Sequence, residues 1–112
     1  MSEEWITVAT LADVPEGQML AVDVAGEAVC LYNLGGTVYA TQNVCTHAEA
    51  SLAEGYIDGE CIECPLHQGR FDVRDGRPTC EPATQPIRVY AAKIEHGRVW
   101  IDAPVSCETR SG

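Results

Sequence analysis

The sequence CTHAEASLAEGYIDGECIECPLH, residues 45–67, has a cysteine and a histidine at each end: Cys45 with His47, and Cys64 with His67. Sixteen residues separate His47 from Cys64, and within them residues 56–63 predict a short β-hairpin turning at a glycine. Because a hairpin returns to its origin, it brings its two ends side by side. The sequence therefore predicts that two thiolates and two imidazoles meet at one place.

The division of these four side chains between two loops favours a two-iron cluster over zinc. A zinc finger usually takes both sulfurs from one loop and both nitrogens from another. Here each loop supplies one sulfur and one nitrogen, so each loop can straddle two metals. A [2Fe–2S] cluster in which two histidines replace two cysteines on one iron uses that division.

Outward from this stretch, the pattern on both sides predicts β-strands. On the N-terminal side, short runs of branched and aromatic residues alternate with glycine turns, as in a meander. They are residues 5–8, 19–24, 27–32 and 37–41. We expect a loop over residues 43–54, and the one helical candidate, a turn near residues 11–14, is short.

On the C-terminal side, residues 70–73 predict a strand, and residues 87–94 and 98–102 predict a closing hairpin around His96-Gly97. Between them Pro78, Pro82 and Pro86 indicate an irregular stretch in which helix and central strand are both disfavoured. The pattern as a whole predicts an all-β protein with a single domain over residues 1–112.

Composition and charge narrow the class of protein. No apolar run reaches the roughly 18 residues of a membrane span, and a formal net charge of −10 opposes binding to nucleic acid. Residues 1–69 contain eleven acidic residues and no lysine or arginine. The acidic N-terminus lacks the basic start of a secretory signal, so we expect a cytoplasmic protein. In a reducing cytoplasm the six cysteines indicate metal ligation, redox chemistry or buried thiols.

The chain resembles the Rieske ferredoxin family over most of its length, from about Trp5 to Asp102. The resemblance rests on residues 45–48 (CTHA), 64–69 (CPLHQG), 70–72 (RFD) and 82–86 (PATQP). It implies a Rieske (ISP-domain) fold of stacked antiparallel sheets. A small cluster-binding subdomain, about residues 43–86, would be inserted between strands, with residues 82–86 covering the cluster.

The same resemblance implies the ligand set and its cofactor. One [2Fe–2S] cluster per chain would be bound by Cys45 and Cys64 on one iron and by His47 and His67 on the other. The histidines would lie at the exposed end of the cluster.

Departures from the respiratory-complex branch of the family predict a low reduction potential. That branch has a disulfide between the two loops, whereas the matching positions here are Ala50 and Leu66. It also supplies two hydroxyl groups at the positions of Gly69 and Phe71. Hydrogen bonds to the sulfurs stabilise the reduced cluster, so their loss lowers the potential. We expect a midpoint of roughly −150 mV rather than about +300 mV, which a redox titration would check.

Within the family, the chain is most similar to ferredoxin components of bacterial ring-hydroxylating dioxygenase systems. This implies a soluble one-electron carrier and not an enzyme. A flavoprotein NAD(P)H reductase would donate the electrons, and a terminal Rieske oxygenase of aromatic hydrocarbon catabolism would accept them. Docking would be transient, at the histidine end of the cluster, and we expect a monomer.

Acidic residues between the two ligand boxes predict a negatively charged rim beside the cluster. We expect this rim to dock onto basic patches, with association rates that fall as salt rises. Its members are Glu49, Glu54, Asp58, Glu60 and Glu63.

Two alternative functions are compatible with the same sequence. One is a structural zinc protein built on the same four residues, which would be colourless, whereas an iron–sulfur protein is red-brown. The other is the small Rieske-like subunit of an assimilatory nitrite reductase, a group whose members often lack the ligands that are all present here.

Other reactive or aromatic residues have structural interpretations. Cys61 forms a Cys-x-x-Cys with Cys64, but no helical pattern follows, so strand packing is favoured over a thioredoxin-like dithiol. We expect Cys30 to be buried in a strand and His96 to lie in a surface turn. The aromatic residues expected to pack on sheets are Tyr32, Tyr39, Tyr56, Phe71, Tyr90 and Trp100.

Overall fold

The computed structural model of the chain describes residues 5–24, 26–44, 50–65, 69–80 and 86–102. Within those ranges the regular structure is mainly β-strand, arranged in three antiparallel sheets. Helical structure there is confined to the 3₁₀ turns Leu11–Asp13 and Leu52–Glu54, and neither could cross a membrane. The all-β prediction is confirmed, as is the helical turn near residues 11–14.

The terminal sheet contains the first and last strands, in the order β1 (Trp5–Thr10), β11 (Arg98–Asp102) and β10 (Ala92–Glu95). A two-residue turn, His96-Gly97, joins β10 to β11, with positive φ angles of 57° and 74°. Such paired positive angles match the right-handed twist of a hairpin. His96 is exposed in this turn, as predicted.

The meander sheet has the order β2 (Met19–Val24), β3 (Glu27–Leu34), β4 (Thr37–Gln42) and β9 (Val89–Tyr90). Its central strand, β3, is buried on both faces. Val29 and Leu31 pack with the terminal sheet, whereas Cys30 and Tyr32 pack on the opposite side. The meander sheet therefore separates two hydrophobic cores.

The small sheet has the order β5 (Tyr56–Asp58), β6 (Cys61–Glu63), β7 (Arg70–Asp72) and β8 (Pro78–Cys80). Ile62 and Phe71 lie opposite each other on β6 and β7, and both are buried in the core that holds Cys30 and Tyr32. In the chain, the small sheet lies between β4 and β9. That position agrees with an inserted subdomain, although its predicted bounds at residues 43 and 86 stay a prediction.

Three expectations about the strands were wrong. Residues 87–94 are not one strand, because Val89–Tyr90 pairs with β4 and Ala92–Glu95 pairs with β11. Pro78–Cys80 is a strand rather than irregular chain, at the edge of its sheet, where a proline is tolerated. Tyr56 does not pack on a sheet, since 63% of its surface is exposed.

Candidate metal centre

Only one of the four predicted ligands falls in the described part of the chain. Cys64 follows β6 directly and is fully buried. Cys45, His47 and His67 lie outside the described residues. Among the residues that are described, no three His, Cys, Asp or Glu side chains stand together as a metal site. The complete ligand set therefore stays a prediction.

The second predicted ligand loop is closed by a backbone hydrogen bond at its base. The Cys64 amide donates to the carbonyl oxygen of Gly69 at 2.7 Å. The next pair outward, Glu63 and Arg70, is in register between β6 and β7. This arrangement fixes Cys64 at the point where the two strands diverge.

The first predicted ligand loop is closed by Asn43 and its neighbours. Val44 forms an isolated antiparallel bridge with Ser51, and the Leu52 amide donates to the Asn43 carbonyl at 2.7 Å. The buried Asn43 side chain accepts a hydrogen bond from the Ala53 amide at 3.0 Å and donates to Ser51 Oγ at 2.8 Å. Asn43 thus joins the two sides of the loop base, because its side-chain amide can replace a backbone partner.

The bases of the two loops share one core and touch each other. Leu52, from the end of the first loop, is buried in the same cluster as Cys64 and Phe71. A Cβ atom added at Gly55 would collide with the carbonyl oxygen of Glu63 and would stand 3.2 Å from Cδ of Pro65. The segment after the first loop therefore packs directly against the start of the second, which only glycine permits at this distance.

This arrangement fits a buried iron–sulfur cluster. A thiol is apolar enough to be buried and binds iron once it is deprotonated. Cys64 presents its thiol inside an apolar core, beside a loop base that holds the adjacent chain in place. The remaining predicted donors, one more sulfur and two imidazole nitrogens, complete the donor set of a Rieske cluster.

The small sheet also holds a buried carboxylate. The Arg74 side chain donates to both oxygens of Asp72, at 3.0 and 2.7 Å, and Arg77 Nη2 stands 3.5 Å from Asp72 Oδ2. The hydrogen bonds from Arg74 lower the pKa of Asp72 to about 2. Asp72 is therefore ionised and stabilises the turn between β7 and β8.

The predicted acidic rim is partly neutralised. Arg70 forms ion pairs with Asp58 at 2.9 Å and with Glu63 at 3.2 Å, and it connects β5, β6 and β7. Glu54 and Glu60 are exposed. Glu49 lies outside the described residues, so its place in the rim is untested.

Two further cysteines, Cys30 and Cys61, have structural positions. Cys30 is fully buried in β3, and burial raises the pKa of its thiol to about 12, so it stays protonated. Cys61 lies in β6, with its sulfur 3.7 Å from Thr79 Oγ1. The expectation that these two thiols pack within strands is confirmed.

Sequence reasoning missed Asn43, and it expected Gly55 to serve a turn or a close backbone approach to the cluster rather than the close contact with Glu63 that the structure shows. Asparagine two residues before a cysteine–histidine box is a usable signal, because its side chain can replace a backbone partner where strand pairing ends. The requirement for glycine at position 55 arises from a contact with Glu63 and Pro65, and no local pattern indicates it.

Comparison with known proteins places the chain in a family. The family model for the Rieske [2Fe-2S] domain matches residues 4–91. The ferredoxin component of the naphthalene 1,2-dioxygenase system of Pseudomonas aeruginosa is 51% identical over 102 residues, covering 91% of this chain and 98% of that protein.

Solved structures show the same relationship. The ferredoxin of carbazole 1,9a-dioxygenase from Nocardioides aromaticivorans IC177 is 42% identical, with a TM-score of 0.84 over 88% of this chain and 97% of that one. A chain in the complex of reduced oxygenase and oxidized ferredoxin of carbazole 1,9a-dioxygenase is 36% identical, with a TM-score of 0.83 over 90% and 94%. With its three antiparallel sheets and buried Cys64, the chain belongs to the Rieske [2Fe–2S] domain family, among the ferredoxin components of dioxygenase systems, and its cofactor is a [2Fe–2S] cluster.

Proposed function

We propose that this protein carries single electrons from a flavoprotein NAD(P)H reductase to a terminal oxygenase that hydroxylates aromatic rings. The observation that carries the proposal is its 51% identity to a dioxygenase ferredoxin component across 98% of that protein. The cluster performs the redox change, and the protein contributes its potential, its shielding and its docking surface. Catalysis on the substrate belongs to the oxygenase.

The ligands we propose are Cys45 and Cys64 on one iron and His47 and His67 on the other. Cys64 supports this set by its burial at the meeting point of the two loop bases. Covalent geometry adds a bound for the second loop, because three peptide units separate Cys64 from His67 and hold their Cα atoms within about 11 Å.

The acceptor is proposed from the carbazole system, in which a ferredoxin forms a complex with its oxygenase. We propose that this chain docks in the same way, through the histidine end of its cluster, transiently and as a monomer. Glu54 and Glu60, which lie between the two ligand boxes in the sequence, supply exposed negative charge, whereas Arg70 offsets the charges of Asp58 and Glu63. Electron-transfer rates should fall as salt rises, though less steeply than five free carboxylates would require.

A cytoplasmic location is part of the proposal. A nicotinamide-dependent reductase as donor requires access to the cell's NAD(P)H pool. Free thiols such as Cys30, Cys61 and Cys64 persist in a reducing compartment.

The test begins with the metal centre. Protein purified without air should contain two irons and two sulfides per chain and, after reduction with dithionite, give the EPR spectrum of a reduced [2Fe–2S] cluster. Selective ¹⁵N labelling of histidine should change the nitrogen couplings in pulsed EPR, because two imidazoles bind iron. Zinc in place of iron, or unchanged couplings, would refute the ligand set and favour the zinc alternative.

The second stage tests the carrier function. Purified reductase, this protein and an aromatic-ring oxygenase should together oxidise substrate at the expense of NAD(P)H, and omission of this protein should stop turnover. A nitrite reductase catalytic subunit serves as the comparison acceptor. Turnover that continues without this protein, or activity only with the nitrite enzyme, would contradict the proposal.

A further inference from the structure

Residues 86–88, here named the strap, begin at the last residue of the proline segment 82–86 and lead into β9. The middle of the strap is anchored on the small sheet. The Ile87 amide donates to the Gly76 carbonyl at 2.9 Å, and the Ile87 side chain is buried in the core that holds Cys64 and Phe71. Gly76 approaches so closely that an added Cβ would collide with the Ile87 carbonyl oxygen.

The next residue of the strap is anchored on the other side, at the end of β4. The backbone N–H of Arg88 donates to the side-chain oxygen Oε1 of Gln42 at 2.7 Å. The backbone N–H of Gln42 donates to the Arg88 carbonyl at 2.9 Å. Consecutive strap residues are thus attached to two different parts of the molecule, the small sheet and the meander sheet.

Gln42 also reaches the first ligand loop. Its side-chain Nε2 donates to the carbonyl oxygen of Val44 at 2.6 Å, and Val44 immediately precedes the predicted ligand Cys45. One amide group therefore connects the strap to the entry of the loop.

The chemistry of this connection requires a side-chain amide. The Arg88 N–H needs an acceptor and the Val44 carbonyl needs a donor, and glutamine offers both on one planar group. Glutamate could accept from Arg88 but could not donate to Val44, and methionine of similar length could do neither. An ion pair between Arg88 and Glu27, with nitrogen and oxygen 3.4 Å apart and both side chains exposed, adds little to this link.

We propose that Gln42 is a positioning residue for the cluster, which holds the entry of the first ligand loop and the strap in one fixed register. The inference rests on the ligand set proposed above. It extends that set, because Gln42 is outside the proposed ligands and acts through its bonds to Val44 and Arg88. Loss of the Gln42 side chain removes its bonds to Val44 and to the Arg88 amide but keeps the backbone bond between Gln42 and Arg88. We therefore expect Val44, the residue before Cys45, to be held less firmly relative to the strap, so that the environment of the cluster changes while the sheets remain.

The experiment compares four holoproteins purified without air: the parent, Gln42→Met, Gln42→Glu and Gln18→Met. Gln18 is an exposed glutamine before β2 and serves as the matched control. For each protein we would measure the EPR spectrum of the reduced cluster, the reduction potential, the rate of cluster loss to an iron chelator and the midpoint of denaturant unfolding.

We expect Gln42→Met to lose its cluster about tenfold faster than the parent and to show shifted g values and potential. Gln42→Glu keeps the acceptor for the Arg88 amide, so its rate of cluster loss should lie between those of Gln42→Met and the parent. Gln18→Met should match the parent in all four measurements.

The proposal is overturned if Gln42→Met has the parent's EPR spectrum, potential and rate of cluster loss. It is also overturned if only the unfolding midpoint moves, since that would be a purely structural role. If Gln42→Glu behaves like Gln42→Met, the hydrogen bond from the Arg88 amide does not position the cluster, and the proposed role of the strap is wrong. Failure of the proposed ligand set would show separately, as absent histidine couplings in the parent protein.

Discussion

The meander sheet and the small sheet are built from the same antiparallel pairing but are stabilised differently. Strands β2, β3 and β4 of the meander sheet have six, eight and six residues, and β3 is covered on both faces. Each strand of the small sheet has three residues. Long strands with two cores are stable through many backbone bonds and buried area, whereas three-residue strands need additional contacts.

In the small sheet those additional contacts are specific side-chain and backbone fits. Arg70 connects three strands, Asp72 is held by two arginines, and Gly55 allows a backbone approach that no other residue permits. The comparison indicates that the small sheet depends on single residues more than the meander sheet does, and the proposed ligand Cys64 predicts that it depends on the cluster as well.

The largest expected effect comes from Cys64→Ser, which removes a proposed ligand. We expect no cluster to assemble, and hydrogen exchange at Ile62 and Phe71 should rise by about 100-fold because the small sheet loses its metal anchor. Exchange at Leu31 in β3 should stay slow. Mass spectrometry of exchanged peptides would measure both regions.

The matched control is Cys61→Ser, in the same sheet but outside the proposed ligand set. It should retain the cluster spectrum and slow exchange. Equal loss of protection in β3 and in the small sheet after Cys64→Ser would remove the contrast between the two regions.

Next in size is Gly55→Ala, which should destabilise the small sheet by about 3 kcal/mol because its Cβ collides with a backbone carbonyl. Gly59→Ala, in the adjacent turn, meets no atom within 4 Å and carries only the strain of a φ angle of +63°. That control should lose about 1 kcal/mol. Chemical denaturation of both variants would measure the difference, and equal losses would argue against the close approach.

A smaller effect is expected for Asp72→Asn, and it depends on pH. The pKa of Asp72 is about 2 in the folded protein and about 3.9 in an unfolded chain. The ionised carboxylate therefore contributes its full stabilisation above about pH 4 and loses it as pH falls toward 2, an effect of about 2 kcal/mol.

Asp72→Asn should lower the free energy of unfolding by that amount at pH 7 and weaken its decline between pH 4 and pH 2. Urea unfolding at several pH values would measure this. Asp75→Asn, at an exposed partner of Arg77, is the control and should change stability little. A parent-like pH profile for Asp72→Asn would show that the buried ion pair adds no stability.

The smallest expected effect is electronic. Phe71→Tyr places a hydroxyl in the core that contains Cys64, and a hydrogen bond of about 1 kcal/mol toward the cluster would raise the potential by about 40 mV. Phe71→Leu adds no hydroxyl and should not raise it. Redox titration of the three proteins measures the shift, and a rise in Phe71→Leu of the same size would attribute it to packing.

Much of the fold was predictable because strand patterns are local. The runs before position 43 became β1 to β4, and the glycine turns between them lie where the sequence indicated. Residues 87–94 failed because alternation shows which side chains are buried but not which strand lies alongside. The run is interrupted at Ala91 because Val89–Tyr90 pairs with β4, whereas Ala92–Glu95 pairs with β11.

The candidate site, like the fold, was predictable only in part. The position of Cys64 at the end of a hairpin was predictable, since the hairpin is encoded within a few residues. The buried Asp72, the contact of Gly55 with Glu63 and the exposure of Tyr56 were not, because each depends on what packs nearby in space.

By itself, the sequence determined the kinds of donor atoms, their division between two loops and the strands that flank them, because these follow from residue types at short spacing. Two features are seen only in the folded chain: the two loop bases meet over one core, and Gln42 reaches Arg88 across 46 positions of the sequence. Contacts between distant segments depend on the packing of the whole chain, and no local pattern of residues encodes them.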